Sequence, residues 1–241
     1  MRLAVVSDIH SNYEACREVL GDIDRSRVDA VISLGDNIGY GPEPDRVIQH
    51  IKARNISTIL GNHELAIKDE KYLKWFNPSA RDSLIQNRGL LSQASIGFIS
   101  QLDPVLVSYG CRFVHGFPPA SSLLYMFQIS DKKKRKIMED MAERVCFIGH
   151  THTLEIVAYD GSLIESNALP EGLTSLHPEK KYIINIGSVG QPRDGSNKAK
   201  YVIWDSSENT IHVRFISYDI AAVVRKIRAA GLPEQHAQRL W

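Results

Sequence analysis

Cysteine is scarce in this sequence of 241 residues, and the three that occur form no paired motif. Because Cys16, Cys111 and Cys146 include no Cys-x-x-Cys spacing, neither a thiolate zinc site nor a dithiol redox site is predicted. Two of them lie in apolar surroundings, which favours buried, reduced thiols over a disulfide framework. The fold is therefore expected to depend on a hydrophobic core.

Long hydrophobic runs are also absent. The first apolar run, residues 3–6, soon meets Asp8 and is too short for a signal peptide. No later stretch approaches the roughly 20 apolar residues that a membrane-spanning helix needs. We therefore expect no membrane association and a cytoplasmic location.

Neither sign of charge dominates, since 29 Lys and Arg residues face 28 Asp and Glu residues and the net charge is +1. Stable nucleic-acid binding normally requires a basic excess and is not expected here. The basic run at residues 132–136 is interpreted as the solvated face of a helix. No strand edge or helix face stands out, so no oligomeric state is predicted.

The sequence does contain short apolar runs that end in polar clusters. Three such runs, residues 3–7, 30–34 and 57–60, alternate in the first part of the chain with segments of helical periodicity. This order predicts an α/β fold, in which ligands bind beyond the carboxyl ends of the strands. Residues 65–104 contain no convincing strand and are predicted as a helical excursion that flanks the site, within a single domain spanning 1–241.

The second part of the chain is richer in predicted strands. Residues 105–109 and 112–115 form a predicted hairpin that turns at Gly110, and a buried strand follows at 145–148. Further strands are expected at 154–159, 182–186, 200–204 and 211–216. A helix from about residue 220 to 230 is expected to close the chain.

Two histidines, His150 and His152, follow the predicted strand at 145–148. On a strand, an i, i+2 spacing points both imidazoles to the same side. Neutral imidazoles that converge on one point suit a divalent metal ion. Other predicted strands also end in metal-ligand residues: Asp8, His10, Asp36, Asn62, His63 and His115.

The mixture of nitrogen and oxygen donors favours Mn²⁺, Fe or Zn²⁺ over Mg²⁺ or Ca²⁺, whose ligands are nearly all oxygen. Seven ligands drawn from these eight residues are too many for one ion and suit two ions that share a carboxylate. Asp36 is central in the order of the clusters and is the predicted shared ligand. Because no thiolate lies among them, a catalytic centre with open positions is favoured over a structural site.

Five of these segments resemble, in order, the sequence blocks of the calcineurin-like metallophosphoesterases. They are Asp8-Ile9-His10, Gly35-Asp36-Asn37, Gly61-Asn62-His63-Glu64, Val114-His115-Gly116 and Gly149-His150-Thr151-His152. The loop at residues 39–44 and the segment 185–195 are similar to the small bacterial and archaeal phosphodiesterase branch, which includes relatives of diadenosine tetraphosphatase. That branch often carries Gly where Ser11 stands and Pro where Ile186 stands, departures that leave the ligands unchanged.

The resemblance implies a sandwich of two mixed β-sheets flanked by helices, with the site at the carboxyl ends of the strands. It also implies two sets of metal ligands joined by Asp36: Asp8, His10 and His152 for one ion, and Asn62, His115 and His150 for the other. His63 corresponds to the family's non-ligand histidine, which contacts the phosphate and is suited to protonate the leaving oxygen.

The predicted activity is that of a dinuclear metal-dependent phosphoesterase, in the first place a phosphodiesterase. The expected reaction is in-line attack of a metal-bridging hydroxide on the phosphorus of a small phosphorylated substrate, with nucleotides among the candidates. Hydrolysis of diadenosine tetraphosphate, phosphoprotein phosphatase activity and a non-catalytic, metal-scaffolded binding module remain alternatives. A DNA nuclease is supported by neither the length nor the charge.

Four side chains near these motifs have two interpretations each. Arg193 either clamps a phosphate or forms a surface salt bridge with an acid. Tyr40, Phe117 and Tyr125 either stack on a nucleobase or, as we favour, pack the loops together. The remaining histidines, His50, His177, His212 and His236, are expected at the surface.

Overall fold

The computed structural model describes residues 1–241 as two six-stranded mixed β-sheets with helices outside them, and it confirms the predicted fold class. The strands are β1 (Arg2–Val6), β2 (Ala30–Ser33), β3 (Ser57–Thr58), β4 (Val105–Ser108), β5 (Cys111–Val114), β6 (Val145–Ile148), β7 (Leu154–Tyr159), β8 (Ile164–Ala168), β9 (Gly172–Ser175), β10 (Lys181–Ile186), β11 (Ala199–Asp205) and β12 (Thr210–Ile216). The α-helices are α1 (Tyr13–Arg25), α2 (Pro44–Ala53), α3 (Asn62–Lys68), α4 (Pro78–Leu90), α5 (Gln93–Ser100), α6 (Asp131–Asp140), α7 (Ile220–Ala229) and α8 (Glu234–Gln238).

Each sheet contains three parallel strands that lie next to one another. The first sheet has the order β3-β2-β1-β11-β12-β9, and β1, β2 and β3 are parallel. The second has the order β4-β5-β6-β10-β7-β8, and β5, β6 and β10 are parallel. Parallel strands direct their carboxyl ends to one edge, so each sheet presents several strand-end loops together.

The main hydrophobic core lies between the two sheets. Val5 and Leu34 from the first sheet pack in one buried cluster with Phe113 and Phe147 from the second. A second cluster joins the outer face of the first sheet to α1 and α2, and a third joins the second sheet to α6. The loops at the strand ends therefore emerge from elements that are buried on both faces.

Helix α1 begins directly after Asn12. The side chain of Asn12 accepts a hydrogen bond from the backbone N–H of Ala15 at 3.1 Å, which is the bond of a helix N-cap. Its amide also donates to the Gly190 carbonyl at 3.0 Å. Asn12 therefore ties the start of α1 to the segment that follows β10.

Residues 65–104 contain helices and no strand, as predicted: the end of α3, a 3-10 helix at Glu70–Trp75, α4 and α5. Strand β3 is shorter than predicted, because the backbone N–H of Leu60 bonds to the Asp103 carbonyl at 2.8 Å and leaves the sheet. None of the helices combines the length and the apolar character required to cross a bilayer.

The sequence analysis missed three elements in the second part of the chain. Strands β8 and β9 are largely exposed edge strands without alternating apolar residues, so they carry no periodic signal. Helix α8 follows Pro233, and its Ala237 shares a buried cluster with Val223 and Ile227 of α7. The chain therefore closes with two helices rather than one.

Candidate metal centre

All eight candidate side chains from the strand ends are buried, and they converge between the two sheets. Three groups have ligand atoms within 4.8 Å of one another: Asp8, His10 and His152; His10, Asp36 and His63; and Asp36, His115 and His150. The groups overlap at His10 and Asp36. The loops after β1, β2, β5 and β6 and the start of α3 thus contribute to one continuous cluster.

The Nε2 atoms of His10 and His152 face each other at a distance that a hydrogen bond between two neutral rings protonated at Nδ1 does not explain. The Nδ1 atoms of His10 and His152 lie 2.9 Å and 2.6 Å from the carbonyl oxygens of Ile38 and Gln191. A carbonyl only accepts, so each Nδ1 carries the proton and each Nε2 presents a lone pair. These two Nε2 atoms are 3.1 Å apart, and two lone pairs at that distance repel unless a proton or a metal cation is shared between them.

A second set of donors surrounds the Nε2 atom of His115. This atom lies 3.0 Å from Asn62 Oδ1 and 3.2 Å from both Asp36 Oδ2 and His150 Nδ1. The other ring nitrogen of His115 is 2.9 Å from the Leu34 carbonyl, which fixes the ring in the same way as His10 and His152. Nitrogen and oxygen donors of this kind fit a second divalent ion.

The two carboxylates each turn one oxygen towards the donors. Asp8 Oδ2 accepts hydrogen bonds from Ser7 Oγ at 2.6 Å and from the His150 backbone at 3.1 Å, whereas its buried Oδ1 has no hydrogen-bond partner. Asp36 Oδ1 accepts from the His63 backbone at 2.8 Å. Asp36 Oδ2 lies 3.2 Å from His115 Nε2 and 3.8 Å from His10 Nε2, within reach of both sets of donors.

Backbone conformation, rather than strand periodicity, brings the His-x-His pair into place. His150 and His152 lie beyond β6 with φ angles of 70° and 62°, so they do not continue the strand. Their side chains consequently join different groups, His150 with His115 and His152 with His10. The prediction that an extended strand directs both rings to the same side through the i, i+2 spacing is therefore wrong, although both rings do join the cluster.

Asp8 and Asp36 also have positive φ angles, 54° and 50°, and such strained residues cluster at functional sites.

Burial and mutual charge shift the pKa values of the cluster. Burial lowers the pKa of His150 to about 3 and that of His152 to about 4, so both are neutral at pH 7. For His115 burial acts in the same direction, but the Asp36 carboxylate outweighs it and raises the pKa to about 9. Burial would raise the pKa values of Asp8 and Asp36, yet the neighbouring histidines lower both below their ordinary range. A cation that binds at His115 must therefore displace a proton.

His63 lies at the start of α3 and differs from the other histidines in its contacts. Its Nδ1 atom is buried without a hydrogen-bond partner, and its Nε2 atom is 3.8 Å from Asp36 Oδ2. Its ring packs edge-on against Tyr40 and Phe76, with both centroid distances at 4.8 Å. Burial lowers its pKa well below the usual value. Aromatic contacts hold the ring beside the Asp36 carboxylate, and Nδ1 faces the backbone of Gly39, where a Cβ atom would lie 1.9 Å from it.

Glu64 is a buried residue of the cluster that the sequence analysis did not single out. Its carboxylate is fully buried and accepts hydrogen bonds from the backbone N–H groups of Asp36, Asn37 and Gly61 at 2.8, 2.7 and 3.2 Å. These bonds hold the left-handed turn that contains Asp36 against the start of α3. The Gly-Asn-His-Glu segment contained this signal, because a Glu at the third helical position often bonds back to the preceding backbone.

Arg193 lies beside the cluster and forms no salt bridge. Its guanidinium donates to Gln191 Oε1 at 2.9 Å and approaches the Tyr40 hydroxyl at 3.4 Å, while Asp194 is paired with Lys200 instead. The salt-bridge interpretation of Arg193 is therefore wrong. Its phosphate-binding role stays a prediction.

The three candidate aromatic residues have different surroundings. Phe117 is fully buried and packs the core, which excludes it as a stacking surface. Tyr125 stacks on the ring of His150 at 3.8 Å, and Tyr40 packs on His10 at 4.5 Å. Both tyrosines are half-buried and cover the rings of proposed ligands.

His236 is not a surface residue as expected, because only 2% of it is exposed. Its Nε2 atom lies 3.2 Å from the Ser79 carbonyl, and its ring is 4.9 Å from that of Tyr40. Helix α8, which the sequence analysis did not predict, carries His236 to this position. The last helix of the chain therefore packs directly behind Tyr40.

Gly149 is required by the close approach of β6 to the loop after β1. A Cβ atom at this position would lie 2.1 Å from Ser7 Oγ and 2.6 Å from Asp8 Oδ2. We expect Gly149→Ala to destabilise the protein by about 1–3 kcal/mol, because the loop must shift to accept the methyl group.

Urea unfolding at fixed metal concentration measures this effect, and Gly97→Ala is the matched control. No atom lies within 4 Å of a Cβ at Gly97, which is inside α5. This control should stabilise the protein by about 0.5–1 kcal/mol. Equal effects of the two substitutions would contradict the role of Gly149.

Comparisons with known proteins agree with this geometry. The family model described as "Calcineurin-like phosphoesterase superfamily domain" matches residues 1–209. An uncharacterized protein of Methanocaldococcus jannaschii is 32% identical over 247 residues, which cover 99% of this chain and 97% of that protein. The crystal structure of a metallophosphoesterase from Sphaerobacter thermophilus is 31% identical with a TM-score of 0.86, covering 100% of this chain and 98% of that one. A hypothetical protein from Pyrococcus horikoshii OT3 shares the fold at 18% identity, with a TM-score of 0.79 and coverage of 100% and 97%.

Proposed function

Because the chain belongs to the calcineurin-like phosphoesterase superfamily, whose members hydrolyse phosphoester bonds, we propose that it is a dinuclear metal-dependent phosphodiesterase. The observation that carries the proposal is the pair of donor sets that share Asp36. In this proposal one ion is held by Asp8, His10 and His152, and the other by Asn62, His115 and His150. Mn²⁺, Fe and Zn²⁺ are the ions that suit these donors.

When bound there, divalent ions would supply a water of lowered pKa and would neutralise the phosphate oxygens. The remaining chemistry belongs to the side chains. His63 adjoins the shared carboxylate without being tied by a hydrogen bond, which suits a group that protonates the leaving oxygen. Arg193 extends over Tyr40 beside the centre, where its unpaired guanidinium can bind a non-bridging phosphate oxygen.

A phosphodiester is the first candidate substrate because the sequence motifs imply it. Arg193 forms no ion pair and donates only to neutral groups, so it is available to bind a phosphate oxygen. The non-catalytic alternative gains no support, because neither a proposed ligand nor His63 is missing from the cluster.

The test is a parallel assay of the metal-loaded protein on bis(4-nitrophenyl) phosphate, 4-nitrophenyl phosphate, a phosphopeptide and diadenosine tetraphosphate. We expect metal-dependent turnover with the highest kcat/KM for a diester. Preference for the phosphopeptide would favour the phosphatase alternative. Absence of turnover on all four substrates with Mn²⁺, Fe²⁺ and Zn²⁺ would overturn the proposed function.

A further inference from the structure

Beyond Arg193, away from the metal ligands, the surface contains an open cavity of about 440 Å³. It is formed by the turn at residues 192–197 and by Arg239 and Trp241 from the end of the chain, and we call it the arginine cavity. No acidic residue lines it. Two guanidinium groups therefore face one cavity without an acidic side chain among its walls.

Both arginines of the cavity lack an acidic partner. The Arg239 side chain is exposed and forms neither a hydrogen bond nor an ion pair, and Arg193 bonds only to neutral groups. The one acid in the adjacent turn, Asp194, is neutralised by the fully buried side chain of Lys200 at 2.6 Å. The side chains that line the cavity consequently carry a net positive charge, which favours an anion.

The arginine cavity adjoins the metal centre through Tyr40. The tyrosine ring packs on His10 at 4.5 Å and on His63 at 4.8 Å, and its hydroxyl is 3.4 Å from Arg193. Burial raises the pKa of Tyr40, and the charges of Arg193 and Arg239 both oppose that rise. Both arginines are therefore close to a ring that covers the proposed metal ligands.

The rim of the cavity also offers an aromatic surface. Trp241 is 66% exposed although its indole is large and apolar. An exposed indole next to two guanidinium groups can stack on a planar group that is joined to an anion. Arg239 and Trp241 lie outside the residues that match the superfamily model, 1–209, whereas the turn at residues 192–197 lies inside them.

We propose that the arginine cavity is a second anion subsite, which binds a phosphate group other than the one that reacts. A nucleobase joined to that phosphate would stack on Trp241. This inference rests on the proposed function and specifies its substrate as a nucleotide ester with at least two phosphate groups. Arg193 lines the cavity and approaches the Tyr40 hydroxyl at 3.4 Å, so it would contact the phosphate chain between the two subsites.

The test measures binding to the metal-loaded, full-length protein by isothermal titration calorimetry. The probes are AMP and α,β-methylene-ADP, whose carbon bridge resists hydrolysis, so the measurement does not depend on turnover. In the unaltered protein, α,β-methylene-ADP should bind more tightly than AMP. Arg239→Ala should weaken α,β-methylene-ADP binding by about 10- to 100-fold, the loss typical of a charged hydrogen bond, and should affect AMP less.

Arg225→Ala is the matched control, because Arg225 is another exposed arginine without an ion pair and lies on α7. This variant should bind both probes as the unaltered protein does. Arg239→Lys keeps the charge and loses the bidentate geometry, so an intermediate loss is expected. Equal affinity of the unaltered and Arg239→Ala proteins for α,β-methylene-ADP would overturn the subsite, as would equal loss for both probes.

A second pair of measurements identifies the role of the base. Trp241→Leu should weaken α,β-methylene-ADP binding by about 10-fold and leave binding of methylenebisphosphonate, which has no base, unchanged. If both ligands are affected equally, the indole does not stack on a base and the nucleotide assignment is wrong. Because these measurements are binding measurements, failure of the hydrolysis assays would contradict the proposed function and leave the subsite standing.

Discussion

Replacing Asp36 with asparagine is expected to remove both metal ions together and to lower turnover by about 10³-fold or more, since the ions supply several kcal/mol of transition-state stabilisation. Asp36 Oδ2 faces both donor sets, at 3.2 Å from His115 Nε2 and 3.8 Å from His10 Nε2. The neutral asparagine oxygen cannot offset the repulsion between two neighbouring cations. Metal content per chain and kcat on bis(4-nitrophenyl) phosphate measure the two losses.

The substitution is close to isosteric, and the asparagine Oδ1 atom can still accept the hydrogen bond from the His63 backbone at 2.8 Å. Asp82→Asn is the control, because Asp82 is exposed on α4 and forms no hydrogen bond or ion pair. That variant should keep full metal content and activity. If Asp36→Asn retained one ion at full occupancy, Asp36 would not be shared.

The second large effect is expected for His63→Ala, which should keep both metals and lose about 10²- to 10⁴-fold in kcat, as is typical of a lost general acid. The loss should depend on the leaving group. A 4-nitrophenolate leaves readily without a proton, whereas an alkoxide does not, so a methyl diester should suffer more than a nitrophenyl diester.

This dependence separates proton transfer from a structural role. His63 lies in one of the groups that could hold a metal ion, with Nε2 at 3.8 Å from Asp36 Oδ2. Loss of a metal ion in His63→Ala would therefore reassign His63 as a ligand. An identical loss on both diesters would reject the acid role. His177→Ala, at an exposed position, should change neither value.

The donor set was predictable because each candidate ligand lies in a short polar motif directly after an apolar run. Asp8 follows β1 and His115 follows β5, so the strand signal and the ligand signal coincide. The structure brings all of these side chains together, although it uses left-handed backbone at His150 and His152 where the sequence suggested an extended strand. Left-handed conformations of non-glycine residues leave no mark in a hydrophobic pattern.

Other parts of the molecule were not predictable for equally physical reasons. Strands β8 and β9 are edge strands whose exposed residues need no alternation, and helix α8 is only five residues long. The contact between His236 and Tyr40 joins residues that are far apart in the chain, so no local sequence pattern predicts it. The arginine cavity depends on the same distant packing, which is why Arg239 and Trp241 did not stand out.

The central claim is that two ions are held side by side, with Asp36 between them. Anomalous X-ray diffraction from crystals of the Mn²⁺-loaded protein tests it directly. We predict two anomalous peaks roughly 3.5–4 Å apart, the spacing of two-metal sites, with Asp36 contacting both. A single peak in the presence of saturating Mn²⁺, or two peaks without a common carboxylate, would contradict the account.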